Sequence, residues 1–554
     1  MNARTLALAL TIAACQSPLF AQFSETVEVR VTNVEAVVTD RAGKPVRGLT
    51  KDDFEILEDG VKQEISNFAE ISEEVSAATL VTTATDSGAP AAPQAPSNFR
   101  RRLITIFIDN ASLEMGNRNS ILPSLKKFLS EQVRPGDAVS LVSWGNSLTV
   151  ELEPTSDANA IAAAVDRLRT RAPRVGDWRS EMESEILGLI AAYKSRHPPS
   201  KPKISRGIAI VGSHVNRTST EMRQKVAAIQ SVIAAMRGLE GRKVLVMLTQ
   251  GLSHNPGEDA FHFLDTVRDE FDGGEIFNPQ SESRVYDLHN LTNEIAAAAN
   301  AAGITLYPIH AGGKGIGIND IDASRSAHIG LRSAPLSDTS MQTLNAIAED
   351  TGGKALTGST NWALAFNTVA TDLSTYYSLG YRATGERQDR MKSVNVRLKK
   401  RGYTIRTRKA VIEKTAASEM SDAVMANLFY STPQNDLGVQ AAAGPAVAAA
   451  DANVTVPLTI TIPMQTLTLL PDGDDLVGRC SVFAAFLRQD GAVSRVANQT
   501  QQFRFPASSL ARRKELTIKL DVTMDARTGA ISVGVVDETS RATGYTVVKL
   551  AQAQ

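Results

Sequence analysis

Asp109 is the residue that type and spacing place best for chemistry. It closes the run "LITIFI", residues 103–108, which is apolar except at Thr105 and lacks the alternation of a half-exposed strand. Such a run suits a strand covered on both faces in a parallel sheet. In an open α/β sheet, ligands bind beyond the carboxyl ends of the strands where the strand order reverses, so a carboxylate just past a central strand stands where a site would form. The competing reading is a cap on the loop into the next helix.

The catalytic templates fail elsewhere. The chain holds no H-E-x-x-H, G-x-S-x-G, Walker loop or C-x-x-C. Ser124 and Lys127 match S-x-x-K, but on an amphipathic helical pattern where so short a match arises by chance. The stretch "GGKGIGIND", residues 312–320, lacks the strand-then-helix context of a phosphate loop and reads as a surface loop. The seven histidines are scattered; His254 and His262 sit in a loop-to-helix region and read as locally bonded or solvated, not as metal ligands. Residues 263–275 are acidic without the ligand spacing of a calcium loop, and read as a solvated face. The expectation is a chain that is not an enzyme. A hydrolase assembled from sequence-distant residues is the main alternative, and a passive scaffold subunit is a third.

The elements that must position Asp109 follow from periodicity. At 554 residues, 43% hydrophobic and 21% charged, the chain is an ordinary globular composition with room for roughly three domains. A net charge of -1, with no basic stripe interleaved with aromatics, argues against nucleic-acid binding. Residues 1–21 carry Arg4 and a short apolar run, the pattern of a signal peptide, so the protein is expected to be exported: periplasmic, cell-surface or secreted. Cleavage after Ala21 competes with lipid anchoring at Cys15, because "IAAC" resembles a bacterial lipobox. No later stretch is long and apolar enough for a transmembrane segment. Cys480 lies in an apolar, strand-like run and reads as core.

Residues 26–70 read as a β module with a hairpin turn at Asp59-Gly60, and 71–99 as an Ala/Pro-rich linker. Residues 100–376 alternate strand and helix patterns, which argues for an α/β fold with a doubly wound, mostly parallel sheet. Within it "SLTVEL" follows a strand too closely for a parallel crossover and must be antiparallel; "GRKVLVMLTQG" is the second central strand; "KALTG" is a short last strand. Residues 218–237 read as helix, and the pattern at 204–211 assigns no element. Strands in 377–412 are expected to pair with the N-terminal module, which would insert the α/β domain within a β-sandwich. Residues 413–452 read as a helix and an Ala-rich linker, and 453–554 as a C-terminal immunoglobulin-like β-sandwich.

This order resembles a von Willebrand factor type A domain, Rossmann-like in its winding: Asp109 after the first strand, an antiparallel third strand, "LTQG" after the fourth and "AEDTGGKAL" before the sixth. The flanking strings "VVTDRAGKPVRGLTKDDFEILEDGVKQEISNF" and "DLSTYYSLGYRATGERQDRMKSVNVRLKKRGYTIRTRKA" resemble the VWFA-related family found in Acidobacteria, over residues 26–410. The resemblance implies strand order 3-2-1-4-5-6 and a top face that binds a protein or glycan partner at the cell envelope. It further implies a metal-ion-dependent adhesion site in which D-x-S-x-S, a distant Thr and a distant Asp hold Mg²⁺.

This sequence departs from that metal pattern. The D-x-S-x-S slot reads Asp109, Asn110, Ala111, Ser112, Leu113, and Gln250 stands where the distant Asp would be; no Thr is evident near residues 176–177. Mg²⁺ wants near-octahedral oxygen coordination, and Ala111 and Leu113 offer no side-chain oxygen. The expected site is degenerate: Asp109, Asn110, Ser112, Glu114, Thr249 and Gln250 form the top face, Asp109 is the one candidate metal ligand, and Ser112 with Glu114 could supply oxygens in a shifted register. No cofactor is expected; Mg²⁺ is the only candidate, and partner binding is expected to survive a chelator.

Overall fold

The computed structural model describes residues 31–72, 102–145, 147–170, 178–239, 241–311, 339–358, 361–382, 389–430, 435–450, 453–489 and 493–550. The signal-peptide reading, Cys15, most of the 71–99 linker, residues 176–177 and the loop at 312–320 lie outside these residues.

Four N-terminal strands, β1 (Thr32–Thr39), β2 (Phe54–Glu58), β3 (Val61–Gln63) and β4 (Ile65–Ser72), precede the α/β region. That region runs β5 (Arg102–Asp109), α1 (Met115–Gln132), β6 (Ala138–Trp144), β7 (Leu148–Thr155), α2 (Ala158–Thr170), α3 (Trp178–Lys194), α4 (Ile204–Arg237) and β8 (Arg242–Thr249). It continues with α5 (Gly257–Thr266), α6 (Pro279–Ser283), α7 (His289–Ala302), β9 (Ile304–His310), α8 (Thr339–Asp350) and α9 (Trp362–Ser374). The sheet order is β7-β6-β5-β8-β9, with β5, β6, β8 and β9 parallel and β7 antiparallel to β6. All eight residues of β5 are buried, the consequence of helices packed on both faces. One face sets Phe107, Leu245 and Leu306 against α4, α7 and α8; the other sets Ile106, Val246 and Ile309 against α1, α2 and α9.

The last strand expected at "KALTG" is reduced to a single bridge, Leu356 to Ile309. Gly352 and Gly358 take left-handed φ values of 77° and 73° on either side, which leaves few residues to extend. Gly353 lies so close to β9 that a Cβ there would sit 1.9 Å from the Leu306 carbonyl oxygen, so only glycine fits. Residues 204–211, unassigned from sequence, form the first turns of α4, a helix of 34 residues. Its N-terminal half packs with α3 and α5 around Ile186, Val211, Phe261 and Leu264 as a separate helical lobe.

After α9 the chain returns as β10 (Thr375–Tyr381), β11 (Met391–Leu398), β12 (Thr404–Thr407) and β13 (Ala410–Ile412). These pair with the N-terminal strands as two antiparallel sheets, β12-β1-β10-β4 and β13-β11-β2-β3, closing on Val34, Ile56, Tyr377 and Val396. The α/β region is therefore inserted between two halves of one sandwich. Buried charge fixes the junction: Arg242, at the start of β8, lies 3.2 Å from Glu35 of β1 and stacks 3.8 Å from the Tyr376 ring, while Arg406 of β12 pairs with Asp372 of α9 at 2.7 Å.

Helix α10 (Ala416–Phe429) is a wedge: Met420, Val424 and Leu428 pack on the last domain, and its backbone at Ala423 abuts Gly238 past the end of α4. The Ala-rich stretch expected to be a linker supplies two strands, β14 (Gln440–Ala443) and β15 (Val447–Ala448), both paired to β16 (Asn453–Pro463). A run of alanines cannot display polar/apolar alternation, so its pairing was invisible to periodicity. Strands β17 (Leu470–Asp472), β18 (Asp475–Arg488), β19 (Ala497–Pro506), β20 (Glu515–Asp525), β21 (Thr528–Asp537) and β22 (Thr543–Lys549) complete two antiparallel sheets around one core, with Cys480 fully buried in it.

Candidate functional site

The site lies at the carboxyl end of β5, where β6 and β8 flank the strand on opposite sides. Asp109 is fully buried there. The chain turns at once: the Leu113 N–H donates to the Asp109 carbonyl at 3.0 Å, which folds Ser112 back over the carboxylate. The Ser112 hydroxyl donates to Asp109 Oδ2 at 2.5 Å, and its amide donates to Oδ1 at 3.1 Å. From β8 the Thr249 hydroxyl donates to the same Oδ2 at 2.7 Å. The Gln250 amide donates to Ser112 Oγ at 3.2 Å, tying the two loops together.

A cation completes the cluster. Lys225 Nζ lies 2.7 Å from Asp109 Oδ2, with side-chain exposures of 8% and 0% for the pair. The ammonium also donates to the Gly251 carbonyl at 3.4 Å and stands 5.7 Å from the centre of the Trp144 ring. Three donors converge on Oδ2, so the carboxylate is saturated by side chains of the protein itself. A buried carboxylate needs such compensation, and the ammonium supplies it.

Sequence reasoning missed Lys225, although the signal was present. On α4, Met222, Val226, Ile229 and Ile233 form the buried stripe, and Lys225 falls at the i+3 position of that stripe where an apolar residue would be expected. A second missed cation, Arg118 on α1, is fully buried and donates to Asn110 Oδ1 at 3.1 Å. It too shares a helix face with buried Ile121, Leu122 and Leu125.

Of the expected top-face residues, Asp109, Ser112, Thr249 and the Gln250 backbone come together. Asn110 is buried and held by Arg118, so it supports the loop from below. Glu114 is exposed at the N-cap of α1, and its side chain makes no capping bond. At the Asp109 carboxylate, the one candidate metal ligand, the neighbouring cation is the Lys225 ammonium at 2.7 Å. Among the described residues no group of three or more His, Cys, Asp or Glu could hold a metal ion. His254 bonds to Thr343 Oγ1 at 3.1 Å and stacks edge-on with His289, while His262 is exposed on α5, so the two are not partners. Burial pushes the His310 imidazole, at the end of β9, below its ordinary range, against the backbone of Gln250, which favours the charged form.

No protein-family model and no curated protein matches the sequence. Solved structures similar to the chain include an aerotolerance-related membrane protein from Bacteroides fragilis, 12% identical over 49% of this chain and 98% of its own, with a TM-score of 0.23. BatB from Bacteroides thetaiotaomicron is 12% identical over 50% of this chain and 97% of its own, TM-score 0.22. The manganese-loaded TRAP protein of Plasmodium vivax is 10% identical over 57% and 95%, TM-score 0.21. Likenesses this weak say nothing of ligand or activity. Among the described residues no helix is long and apolar enough to cross a membrane.

Proposed function

We propose that the chain is a non-enzymatic binding protein of the cell envelope, built on a doubly wound, von Willebrand type A-like domain whose top face holds its partner without a metal ion. The observation that carries this reading is the Lys225–Asp109 pair at the carboxyl end of β5. The strand order reverses at β5, with β6 on one side and β8 on the other, and ligands of open α/β sheets bind beyond the carboxyl end of such a strand, which supports the reading. A metal at that point would leave an open coordination position for a partner's carboxylate. An ammonium buried against Asp109 offers none, so recognition falls to the surrounding loop surface and the helical lobe of α3, α4 and α5. Export follows from the leader-like pattern of residues 1–21, with Cys15 as an anchor if the lipobox is used. A protein partner is favoured over a glycan, because the site presents backbone loops and a charge-neutral pair in place of an aromatic platform.

Cross-linking in the native envelope, with and without EDTA, tests the proposal. A captured protein whose yield is indifferent to the chelator, and falls when Gln250 and Glu114 are both changed to Arg, is the expected result. Capture that disappears with EDTA would overturn the metal-free reading.

A further inference from the structure

Among the described residues, the reduced sixth strand leaves an unpaired sheet edge inside a groove. The Leu356 N–H donates to the Pro308 carbonyl at 2.8 Å and its own carbonyl accepts from the His310 N–H at 2.9 Å, so both main-chain groups of Leu356 face β9. Ala355 packs on the core at one face of the sheet and Leu356 on the core at the other, the two-residue alternation of an extended strand. In such a strand the flanking residues turn their main-chain groups the opposite way. Ala355 and Thr357 thus present N–H and C=O groups away from β9, and among the described residues neither makes a backbone hydrogen bond. Both line a groove of about 900 Å³. Asn345 of α8, Thr368 of α9 and the turn after β1 line its walls.

We propose that this groove takes an extended, uncharged polypeptide segment of another protein as an added strand, bonded to the main chain of Ala355 and Thr357. An unpaired edge is a ready template for strand addition, and proteins that do not use one normally cover it. The charged groups lining the groove balance, Asp40, Glu349 and Asp372 against Arg41, Lys354 and Arg406, and Arg406 is already paired with Asp372 at 2.7 Å. The rest of the polar lining is amide and hydroxyl, which suits a segment without net charge. A sugar is less well served, because the only aromatic side chain in the lining, Trp362, is 7% exposed and commits its Nε1–H to Ser120. The site is independent of Asp109 and of the reading above.

Selection of random twelve-residue peptides displayed on phage, against the intact protein, tests the proposal. Enriched peptides should be rich in β-branched residues, should lose at least tenfold in affinity to Thr368→Arg and to Asn345→Arg, and should lose as much when alternate backbone nitrogens are N-methylated. Asn345→Arg changes an exposed helix position and Thr368→Arg a half-buried one, and the folding of both is checked by an unchanged thermal transition. No enrichment, binding unaffected by either wall substitution, or binding indifferent to N-methylation would overturn the proposal. So would a concentration-dependent dimer abolished by Thr368→Arg, which would give the groove to a second copy, or binding of a soluble oligosaccharide that competes at this groove. Binding at Asp109 is probed separately by Gln250→Arg, which should leave peptide binding unchanged.

Discussion

Replacing Lys225 by Met tests the site most directly. The substitution keeps most of the side-chain volume on α4 but removes the ammonium 2.7 Å from a fully buried carboxylate. Breaking a buried ion pair by deleting one partner costs about 3–5 kcal/mol, because the remaining charge is left uncompensated. Ser112 and Thr249 keep their bonds to Asp109, which argues for the lower part of that range, about 3 kcal/mol. Adding Asp109→Asn removes the stranded charge, so the double variant should recover much of the loss and yield a coupling energy of roughly 1–3 kcal/mol. Urea unfolding followed by tryptophan fluorescence gives each value, since Trp144 and Trp362 both report on this domain. Lys225→Ala adds a second arm. It opens a space at a carboxylate flanked by two hydroxyls, so Mg²⁺ at tenfold excess over its Kd should restore about 1.4 kcal/mol to this variant and nothing to the wild type. Two results would refute the reasoning: a loss below about 1 kcal/mol in Lys225→Met, which would mean that the charge is not buried against Asp109, or stabilisation of the wild-type protein by Mg²⁺.

Two further outcomes follow from buried groups. Burial lowers the Lys243 amine from 10.5 to about 7, while its Nζ donates to the Arg237 and Leu239 carbonyls at the end of α4. Because the folded value is the lower one, the unfolded chain holds a proton that the native protein lacks between about pH 7 and 10.5; stability should rise with pH across that window, by at most ~1.4 kcal/mol per unit, and Lys243→Met should flatten the slope in pH-resolved urea titrations. The Cys480 thiol, fully buried and pushed up to about 11 by that burial, should resist alkylation at pH 8 until the C-terminal domain unfolds, as read by mass at that residue; labelling at native conditions would place it outside the core.

Much of the architecture was legible because it rests on local pattern. The unbroken apolar runs of β5 and β8 signalled strands covered on both faces, and the short gap between β6 and β7 forced an antiparallel neighbour. Position within that pattern also brought Asp109, Ser112, Thr249 and Gln250 to one edge, since all end or closely follow central strands. Alternating strands on either side of the α/β region were visible too, although their register was not. What periodicity missed was the run of alanines in β14, where every side chain is alike, and the single bridge at Leu356, where glycines cut the pattern short.

Tertiary structure alone decided what fills the site. Asp109 and Lys225 lie 116 residues apart in the sequence, and nothing local says that one helix face of α4 meets the end of β5. A charge on an apolar helical stripe looks like an error of pattern until the packed partner is known. The same holds for Arg242 and Glu35 at the junction, where each residue reads singly as a solvated charge. The physical reason is common to both: burial of a charge is tolerated only where a partner from another element neutralises it, and which elements meet is set by the packing of the whole chain.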